Sequence, residues 1–429
     1  MNKIHRLSCV PNNYHWGKIG ANSKVAQFMT SDESFTLNEN NHYSELWMGT
    51  HPSGMSVLAE APSKSLDHLI SQDPVAYLGE KVATKYNNKL PFLFKVLSIQ
   101  TALSIQAHPD INLAQKLHKE RFEVYKDPNH KPEMSIALTD FEALSGFRPL
   151  EEISKFVDYF HPELTTLIGE QNAKDLKHAV SSNTAPPQDC KQVLKNCFSH
   201  YMLTDAATVT QQLANLFSRD IDSTSEFFEI LNLARRLNTQ YENDIGIFCI
   251  FFLNVIHLSP GESFFMGANE PHAYIYGDCI ECMASSDNVV RAGLTPKYRD
   301  VEVLIDMLTY QYGPGKDKLT VGTPFKSFSS STPSKYSTLY NPPIDEFSVL
   351  RTNLPTGNIE ETVNINGGPA IVIIVNGSGS ISCPSSAPLK LKSGYIFFVP
   401  NNVPFTLSSY DSDGLEAYTA FCHINSFHL

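Results

Sequence analysis

Three polar side chains recur at two-residue spacing within an otherwise apolar run. The run "LSIQTALSIQAHPD", residues 97–110, contains Ser104, Gln106 and His108. In a β-strand, residues two apart share one face, so a strand here would place these three side chains in a single row. Such a row is either the solvated face of an antiparallel sheet or a set of ligands aimed into a cavity. The run by itself leaves both interpretations open.

Two further segments are dense in groups that can do chemistry. The segment "YKDPNHKPE", residues 125–133, contains Asp127, His130, Lys131 and Glu133. The segment "PHAYIYGDCIECMASSDNVVRAGLTPK", residues 271–297, contains His272, Asp287, Arg291 and Lys297. Each residue alone could be a loop charge, a turn cap or a structural histidine. With Gln106 and His108 they supply two imidazoles, a carboxylate and an amide oxygen, a donor set that zinc accepts with one position open in catalytic sites.

The composition is that of an ordinary globular protein. The chain has 429 residues, of which 42% are apolar and 18% charged, enough for two or three domains. The net charge of −12 offers no basic stripe for a phosphate backbone and argues against a general nucleic-acid binder. Any site for an anionic metabolite must therefore be basic locally.

The sequence predicts a cytoplasmic protein without a membrane partner. The N-terminus has no apolar h-region of a signal peptide. The apolar run from Ile245 to Ile256 is too short to span a bilayer, and we expect a buried strand there. Eight cysteines without a secretory signal predict reduced thiols. Cys279 and Cys282 form a C-x-x-C without the second pair that a structural zinc site usually needs, so we expect core thiols.

The predicted fold class is mainly β with a helical insertion. Residues 1–150 and 245–310 are rich in strand and turn signals and would form one catalytic unit. Residues 151–244 have helical spacing and would form the insertion. Residues 311–345, rich in Ser, Thr, Pro and Gly, read as a linker, and residues 346–429 as a further all-β unit.

Helical spacing is clearest in two places. In "TSEFFEILNLARRLN", the residues Phe227, Ile230, Leu231 and Ala234 fall at i, i+3, i+4 and i+7. The segment "PDINLAQKLHKERF", directly after His108, also predicts a helix, with apolar residues on one side and charges opposite.

A faint internal repeat links the two β regions. The segment "PGESFFMGANEPH" from Pro260 aligns without gaps with "SGYIFFVPNNVPF" from Ser393, matching two glycines, two Phe-Phe pairs, two asparagines and two prolines. His272 then falls opposite Phe405. Shared turn chemistry could explain the match. The other explanation is two related barrels of the jelly-roll type, of which the first alone is equipped for metal.

The chain resembles the type I mannose-6-phosphate isomerases (phosphomannose isomerases) along essentially its full length. The resemblance rests on "YHWGKIGANS", "ELWMGTHPSG", "LSIQAHPD", "YKDPNHKPE" and the long segment "HAYIYGDCIECMASSDNVVRAGLTPK". It implies cupin-type barrels around a helical domain. It implies one Zn²⁺ held by Gln106, His108, Glu133 and His272. It also implies active-site roles for Trp16, Lys95, Ser104, His130, Lys131, Tyr274, Asp287 and Arg291.

The implied reaction interconverts mannose 6-phosphate and fructose 6-phosphate, and would feed mannose and GDP-mannose metabolism in a monomeric enzyme. It moves a proton between C2 and C1 through an enediol(ate), whose negative charge a zinc ion or a fixed cation can stabilise. The sequence leaves the general base open among His130, Lys131, Lys95 and Asp287. Arg291 stays charged and suits the enediolate or the phosphate. Its Ser- and Asp-rich surroundings suggest a loop at the barrel mouth, which favours the enediolate.

Two other function classes remain at this stage. A non-haem iron cupin oxygenase would use two histidines and a carboxylate, but the Gln106 ligand and the basic cluster argue against it. A non-catalytic sugar-phosphate-binding cupin would be expected to lack the set Lys95, Lys131 and Arg291. Metal analysis with oxygen uptake, and an isomerase assay, separate these classes.

Overall fold

The chain forms two large antiparallel sheets with a group of helices inserted between strands of the first. The computed structural model describes residues 3–182, 186–327, 332–365, 367–410, 412, 414–422 and 424. Part of the predicted linker, residues 328–331, and the end of the predicted C-terminal unit, residues 425–429, lie outside this range.

The elements follow one another along the chain in four groups. The first contains β1 (His5–Ser8), β2 (Pro11–Asn12), β3 (Lys18–Ile19), α1 (Lys24–Met29), β4 (His42–Tyr43), β5 (Glu45–Met48), β6 (Val57–Leu58), β7 (Ala61–Ser65), α2 (Leu66–Gln72), α3 (Pro74–Leu78), α4 (Glu80–Lys85) and β8 (Phe92–Ile99). The second contains β9 (Ile105–Ala107), α5 (Ile111–Glu120), β10 (Glu133–Ala137), β11 (Phe141–Phe147), α6 (Leu150–Tyr159), α7 (Glu163–Ile168), α8 (Glu170–Ser181), α9 (Pro187–Met202), α10 (Ala206–Phe217) and α11 (Phe228–Gln240). The third contains β12 (Leu253–Leu258), β13 (Ser263–Met266), β14 (His272–Ala284), β15 (Val290–Gly293) and α12 (Val301–Met307). The fourth contains β16 (Leu319–Thr320), β17 (Thr323–Pro324), β18 (Ser337–Tyr340), β19 (Ser348–Leu354), β20 (Glu360–Val363), β21 (Ala370–Cys383), β22 (Ser386–Lys392), β23 (Ile396–Val399), β24 (Phe405–Ser409) and β25 (Leu415–Phe421).

The first sheet runs β16-β13-β10-β14-β8-β5-β2, with β9, β11, β12 and β15 paired off this path, and forms the first barrel. Strand β14 connects the two sides of this barrel. Residues 277–284 of β14 pair with β8 and β10, whereas residues 272–276 pair with β11 and β9. The change of partners occurs at Gly277, whose φ is +118°. A Cβ atom there would lie 2.6 Å from the carbonyl oxygen of Asp140, so only glycine fits. One strand therefore supplies side chains to both sides of the barrel interior.

The second sheet, which forms the second barrel, runs β17-β18-β19-β25-β21-β23-β1-β6-β7. Strand β1 pairs with β23, His5 opposite Phe398 and Leu7 opposite Ile396. The prediction that all of residues 1–150 belong to the first unit is therefore wrong for β1, β6 and β7. An apolar layer, including Met134 and Ile280 from the first barrel and Phe398 from the second, holds the barrels together. Hydrophobic burial at this layer fixes one barrel against the other.

The segment predicted as a linker contributes strands to both sheets. Strand β16 pairs with β13 of the first barrel, and β17 and β18 lie at the edge of the second sheet. Its Ser- and Pro-rich composition predicted irregular structure, but backbone pairing with existing sheet edges overrides that local preference.

The predicted helical insertion contains helices α6–α11. Ile230, Leu231 and Ala234 face the core of the insertion. The strand predicted from Ile245 is wrong in its first half, because residues 245–251 form a 3-10 helix and β12 begins at Leu253. All seven residues of this 3-10 helix are buried, and a continuous apolar run cannot distinguish a buried helix from a buried strand. Among the described residues, no helix has the length and apolar character to cross a bilayer.

The two halves of the sequence repeat have the same local structure. The aligned glycines have φ values of +90° at Gly261 and +88° at Gly394, and the aligned asparagines have +63° at Asn269 and +56° at Asn402. Strands β13 and β23 begin and end at aligned positions. His272 and Phe405 are each the first residue of the next strand. The structure agrees with the repeat at each of these points.

Candidate metal centre and active site

The run that contains Ser104, Gln106 and His108 is broken by a loop. Strand β8 ends at Ile99 and β9 covers Ile105–Ala107, so Gln106 lies within a strand while Ser104 and His108 flank it. The prediction of one continuous strand is wrong here. The three side chains do not form a fully solvated face, since His108 is fully buried and the other two side chains are half-buried.

Partners from distant parts of the chain hold the loop of residues 100–104. The Trp16 carbonyl accepts hydrogen bonds from the backbone amides of Gln100 and Thr101 at 3.0 and 3.1 Å. Two side chains of the helical insertion bind Ala102, whose amide donates to Gln240 at 2.9 Å and whose carbonyl accepts from the Tyr241 hydroxyl at 2.6 Å. These bonds satisfy the loop backbone outside the sheet ladder, which explains why the strand can break there.

Strand β9 brings three predicted site residues into one cross-strand row. Gln106 lies opposite His272 of β14 on one side and opposite Arg291 of β15 on the other. Directly opposite residues of antiparallel strands project from the same face. Arg291 was expected in a loop. It is the second residue of β15, two residues after the loop of residues 286–289.

His108, Glu133 and His272 meet inside the first barrel. The Nε2 atoms of His108 and His272 lie 3.4 and 3.3 Å from the same oxygen, Oε2 of Glu133. The three residues are 0%, 2% and 1% exposed. Each of these three atoms is buried and lacks a hydrogen-bond partner among the described residues. Converging buried polar atoms without partners are unfavourable unless a further group satisfies all three.

The other ring nitrogens are held in the state that a metal ligand needs. His108 Nδ1 lies 2.6 Å from the carbonyl of Asn288, and His272 Nδ1 lies 3.1 Å from the carbonyl of Glu270. A carbonyl can only accept, so both Nδ1 atoms carry a proton, and both Nε2 atoms face Glu133. Metal-binding histidines almost always donate their second N–H in this way.

The ionisation states also fit a divalent metal. Burial lowers the pKa of His108 to about 4 against the opposing effect of Glu133, so the ring is neutral at pH 7. Burial disfavours the charged form of Glu133, but Lys131 and His108 hold its pKa well below its usual value. Lys131 Nζ lies 3.1 Å from Glu133 Oε1, the oxygen that does not face the histidines. Imidazole nitrogens and a carboxylate oxygen are ligands that zinc prefers.

This group stands alone in the described part of the chain. No other set of three or more His, Cys, Asp or Glu side chains there brings its ligand atoms within 4.8 Å of one another. All eight cysteines, including Cys279 and Cys282, are buried thiols outside any disulfide.

A second polar layer lies beside the metal group inside the same barrel. Lys95 Nζ lies 3.0 Å from Glu281 Oε2, and the other Glu281 oxygen accepts from the Tyr274 hydroxyl at 2.7 Å. Ser135 Oγ contacts that hydroxyl at 2.6 Å, and Lys95 also lies 5.0 Å from the centre of the Trp47 ring. All but Trp47 are buried.

Charge pairing fixes the ionisation of this layer. Burial alone would lower the pKa of Lys95, but Glu281, Glu45 and Glu133 raise it above its usual value. Burial raises the pKa of Glu281, although Lys95 acts in the opposite direction. Burial and the charge of Glu281 together raise the pKa of Tyr274. Lys95 is therefore a fixed cation at neutral pH.

The remaining predicted residues lie at the rim. Asp287 is exposed and its Oδ1 lies 3.3 Å from His51 Nε2, a hydrogen bond that lowers the pKa of Asp287. Trp16 is half-buried and stacks on Tyr14 with ring centres 5.9 Å apart. His130 does not join the metal group, because its Nε2 bonds to Glu346 of the second barrel at 2.8 Å.

Four residues of the site were not found from the sequence: Glu281, Trp47, His51 and Glu346. Glu281 could have been found, because it lies opposite Lys95 in the register of β14 and β8, and opposite charges in one buried row imply a pair. Trp47 lies opposite Lys95 on the other side, in β5. The contacts of His51 and Glu346 join segments far apart in sequence, so no local sequence pattern predicts them.

Three family descriptions match separate parts of the chain. "Phosphomannose isomerase type I, catalytic domain" matches residues 4–150, and "Phosphomannose isomerase type I, helical insertion domain" matches residues 167–253. "Phosphomannose isomerase type I C-terminal" matches residues 337–385.

Curated proteins match over nearly the whole chain. Mannose-6-phosphate isomerase of Candida albicans is 43% identical over 445 residues, which cover 98% of this chain and 98% of that protein. The protein of the same name from Schizosaccharomyces pombe is 41% identical, covering 98% and 100%, and that from Homo sapiens is 41% identical, covering 98% and 99%.

Solved structures share the fold. A mutant of phosphomannose isomerase from Salmonella typhimurium aligns with a TM-score of 0.78 at 28% identity, covering 98% of this chain and all of that one. A zinc-bound mannose 6-phosphate isomerase aligns with a TM-score of 0.77 at 27% identity, again over 98% and 100%.

We expect one divalent metal per chain, which His272→Ala should remove because it deletes one of three converging ligands. The matched control is His257→Ala, since His257 is exposed on β12, which is two strands from β14 in the same sheet. Elemental analysis of the purified variants measures metal per chain, and circular dichroism checks the fold. Full metal content in His272→Ala, or equal loss in both variants, would contradict the site.

Proposed function

The chain belongs to the type I phosphomannose isomerase family, and from that premise we propose that it is a zinc-dependent enzyme interconverting mannose 6-phosphate and fructose 6-phosphate. The observation that carries the proposal is the convergence of three buried, unpartnered ligand atoms, from His108, Glu133 and His272, inside the first barrel. The names of the relatives over nearly the full chain support the substrate.

We propose that His108, Glu133 and His272 hold the zinc ion, with Gln106 as the fourth ligand. Gln106 lies directly opposite His272, and its amide oxygen is an acceptable zinc donor. Zinc bound there would supply a Lewis acid for the sugar oxygens.

The residues around this site suit two different roles in the reaction, stabilisation of negative charge and proton transfer. The reaction moves a proton between C2 and C1, and negative charge develops on the carbonyl oxygen. Lys95, held protonated by Glu281, suits electrostatic stabilisation and is a poor base. Proton transfer is left to His130, Lys131 and Asp287, of which Asp287 is held ionised by His51.

We propose that Trp16, Ser104 and Tyr274 position the sugar. Trp16 and Ser104 are half-buried and free to contact it. The Tyr274 hydroxyl is already bonded to Glu281 and Ser135, so Tyr274 would act on the sugar through Glu281.

Arg291 suits the enediolate. Within the described residues its guanidinium makes neither an ion pair nor a hydrogen bond, and burial alone lowers its pKa. An arginine remains protonated even so, and a half-buried cation without a counter-ion is complementary to an anion. Arg291 is two strands from His272 in the same row, about 10 Å between backbones, which a long side chain can span.

The cytoplasmic location and the monomeric state remain proposals from the sequence, as does the link to mannose and GDP-mannose metabolism.

A coupled assay with mannose 6-phosphate tests the function directly. We expect turnover to fructose 6-phosphate, loss of turnover after chelation, and recovery when zinc is returned. Binding of the sugar phosphate without turnover by the zinc-loaded protein would point to a non-catalytic cupin. Turnover that persists after the metal is shown to be gone would remove zinc from the mechanism.

Arg291→Ala should lower kcat by roughly 10²-fold or more, the scale for removal of an oxyanion-stabilising donor, and should change KM far less. Arg291→Lys should restore part of the loss, because an ammonium group lacks the planar guanidinium fork. Arg236→Ala, at an exposed arginine of α11 paired with Glu142, is the control and should leave kcat unchanged. A large rise in KM with kcat intact would reassign Arg291 to the phosphate.

A further inference from the structure

One carboxylate of the second barrel, that of Glu346, contacts the loop that carries His130 and Lys131. His130 lies in the loop between α5 and β10, directly before Lys131, and its Nε2 is 2.8 Å from Glu346 Oε1. Glu346 lies between β18 and β19, 216 residues further along the chain. We propose that Glu346 is a positioning residue that orients His130 for proton transfer, an inference that rests on the proposed isomerase function.

The carboxylate of Glu346 is rigidly mounted. Glu346 is 8% exposed, and the next residue, Phe347, is 1% exposed in the apolar layer between the barrels. On the other side, the backbone carbonyl of Asp345 accepts a hydrogen bond from the Cys422 thiol at 3.4 Å. A group held on both sides can fix the orientation of a ring that lies on a loop.

The opposite side of the loop is fixed to the first barrel. The Asn129 side chain donates to the Ser285 carbonyl at 3.0 Å, and the Asn129 carbonyl accepts from the Asn288 side chain at 2.7 Å. Asn288 is also the residue whose carbonyl holds His108. The loop that presents His130 and Lys131 is therefore anchored to both barrels, and Glu346 is its contact with the second.

The ionisation of Glu346 suits an orienting role. Burial disfavours its charged form, but the hydrogen bond and charge of His130 hold the pKa of Glu346 below its usual value. A carboxylate can only accept, so Nε2 of His130 must donate to it, and Nδ1 is left for proton exchange. A base oriented by a third group in this way is a recurrent arrangement in enzymes.

The test compares Glu346→Gln and Glu346→Ala with Asp345→Asn. The control changes the neighbouring carboxylate, which forms a half-exposed ion pair with Lys85 and does not contact His130 among the described residues. We expect kcat to fall by roughly 10- to 100-fold in Glu346→Ala, the scale for groups that orient an active residue. The fall should be smaller in Glu346→Gln, whose amide oxygen can still accept. KM and metal content should stay unchanged.

A double-mutant cycle separates positioning from simple stabilisation. In a His130→Asn background, Glu346→Ala should cost little further kcat, because the group that it orients is gone. A merely structural Glu346 would lower kcat equally in both backgrounds, which would overturn the inference.

The tautomer of His130 gives a readout that is independent of activity. We expect ¹⁵N spectra of the histidine rings to show His130 protonated at Nε2 in the wild type and in Asp345→Asn, and to show this preference lost in Glu346→Ala. If Glu346→Ala has the same kcat and the same His130 ring spectrum as Asp345→Asn, the inference is wrong, while the isomerase function stands. An inactive wild type with the expected spectra would instead contradict the proposed function and support the orientation of His130 by Glu346.

Discussion

The burial of the Glu133 carboxylate is the constraint around which the first barrel is organised. An ionised carboxylate that is 2% exposed needs positive charge on both oxygens to remain stable. Lys131 supplies it on one side, and the imidazoles of His108 and His272 face the other, an arrangement that a divalent cation would complete. Strand β14 makes this possible, since it passes from one side of the barrel to the other and places His272 across from Glu133.

Other buried charges of the barrel interior are paired as well. Lys95 and Glu281 neutralise each other one layer away, with Tyr274 and Ser135 completing their hydrogen bonds. Arg291 differs, because it is half-buried and unpaired within the described residues. Arg291 therefore remains available to an anion, although the net charge of the chain is −12.

The sequence indicated which residue types make up the site, but not the contacts that position them. The residue types of His108, Glu133 and His272 identify a metal group, and the 26-residue segment from His272 to Lys297 identifies the family. The broken strand before Gln106 could not be predicted, because its loop is held by partners as distant as Trp16 and Gln240. Nor could the contact of His130 with Glu346, because it depends on how two barrels pack together. Long-range contacts decide such details, and local patterns do not encode them.

Anomalous diffraction at the zinc absorption edge, on crystals of the metal-loaded protein, locates the ion directly. We expect one peak inside the first barrel, about 2.0–2.2 Å from Nε2 of His108, Nε2 of His272 and a carboxylate oxygen of Glu133, with the Gln106 amide oxygen next to it. A peak elsewhere in the chain would contradict this assignment, and so would ligation through the Nδ1 atoms.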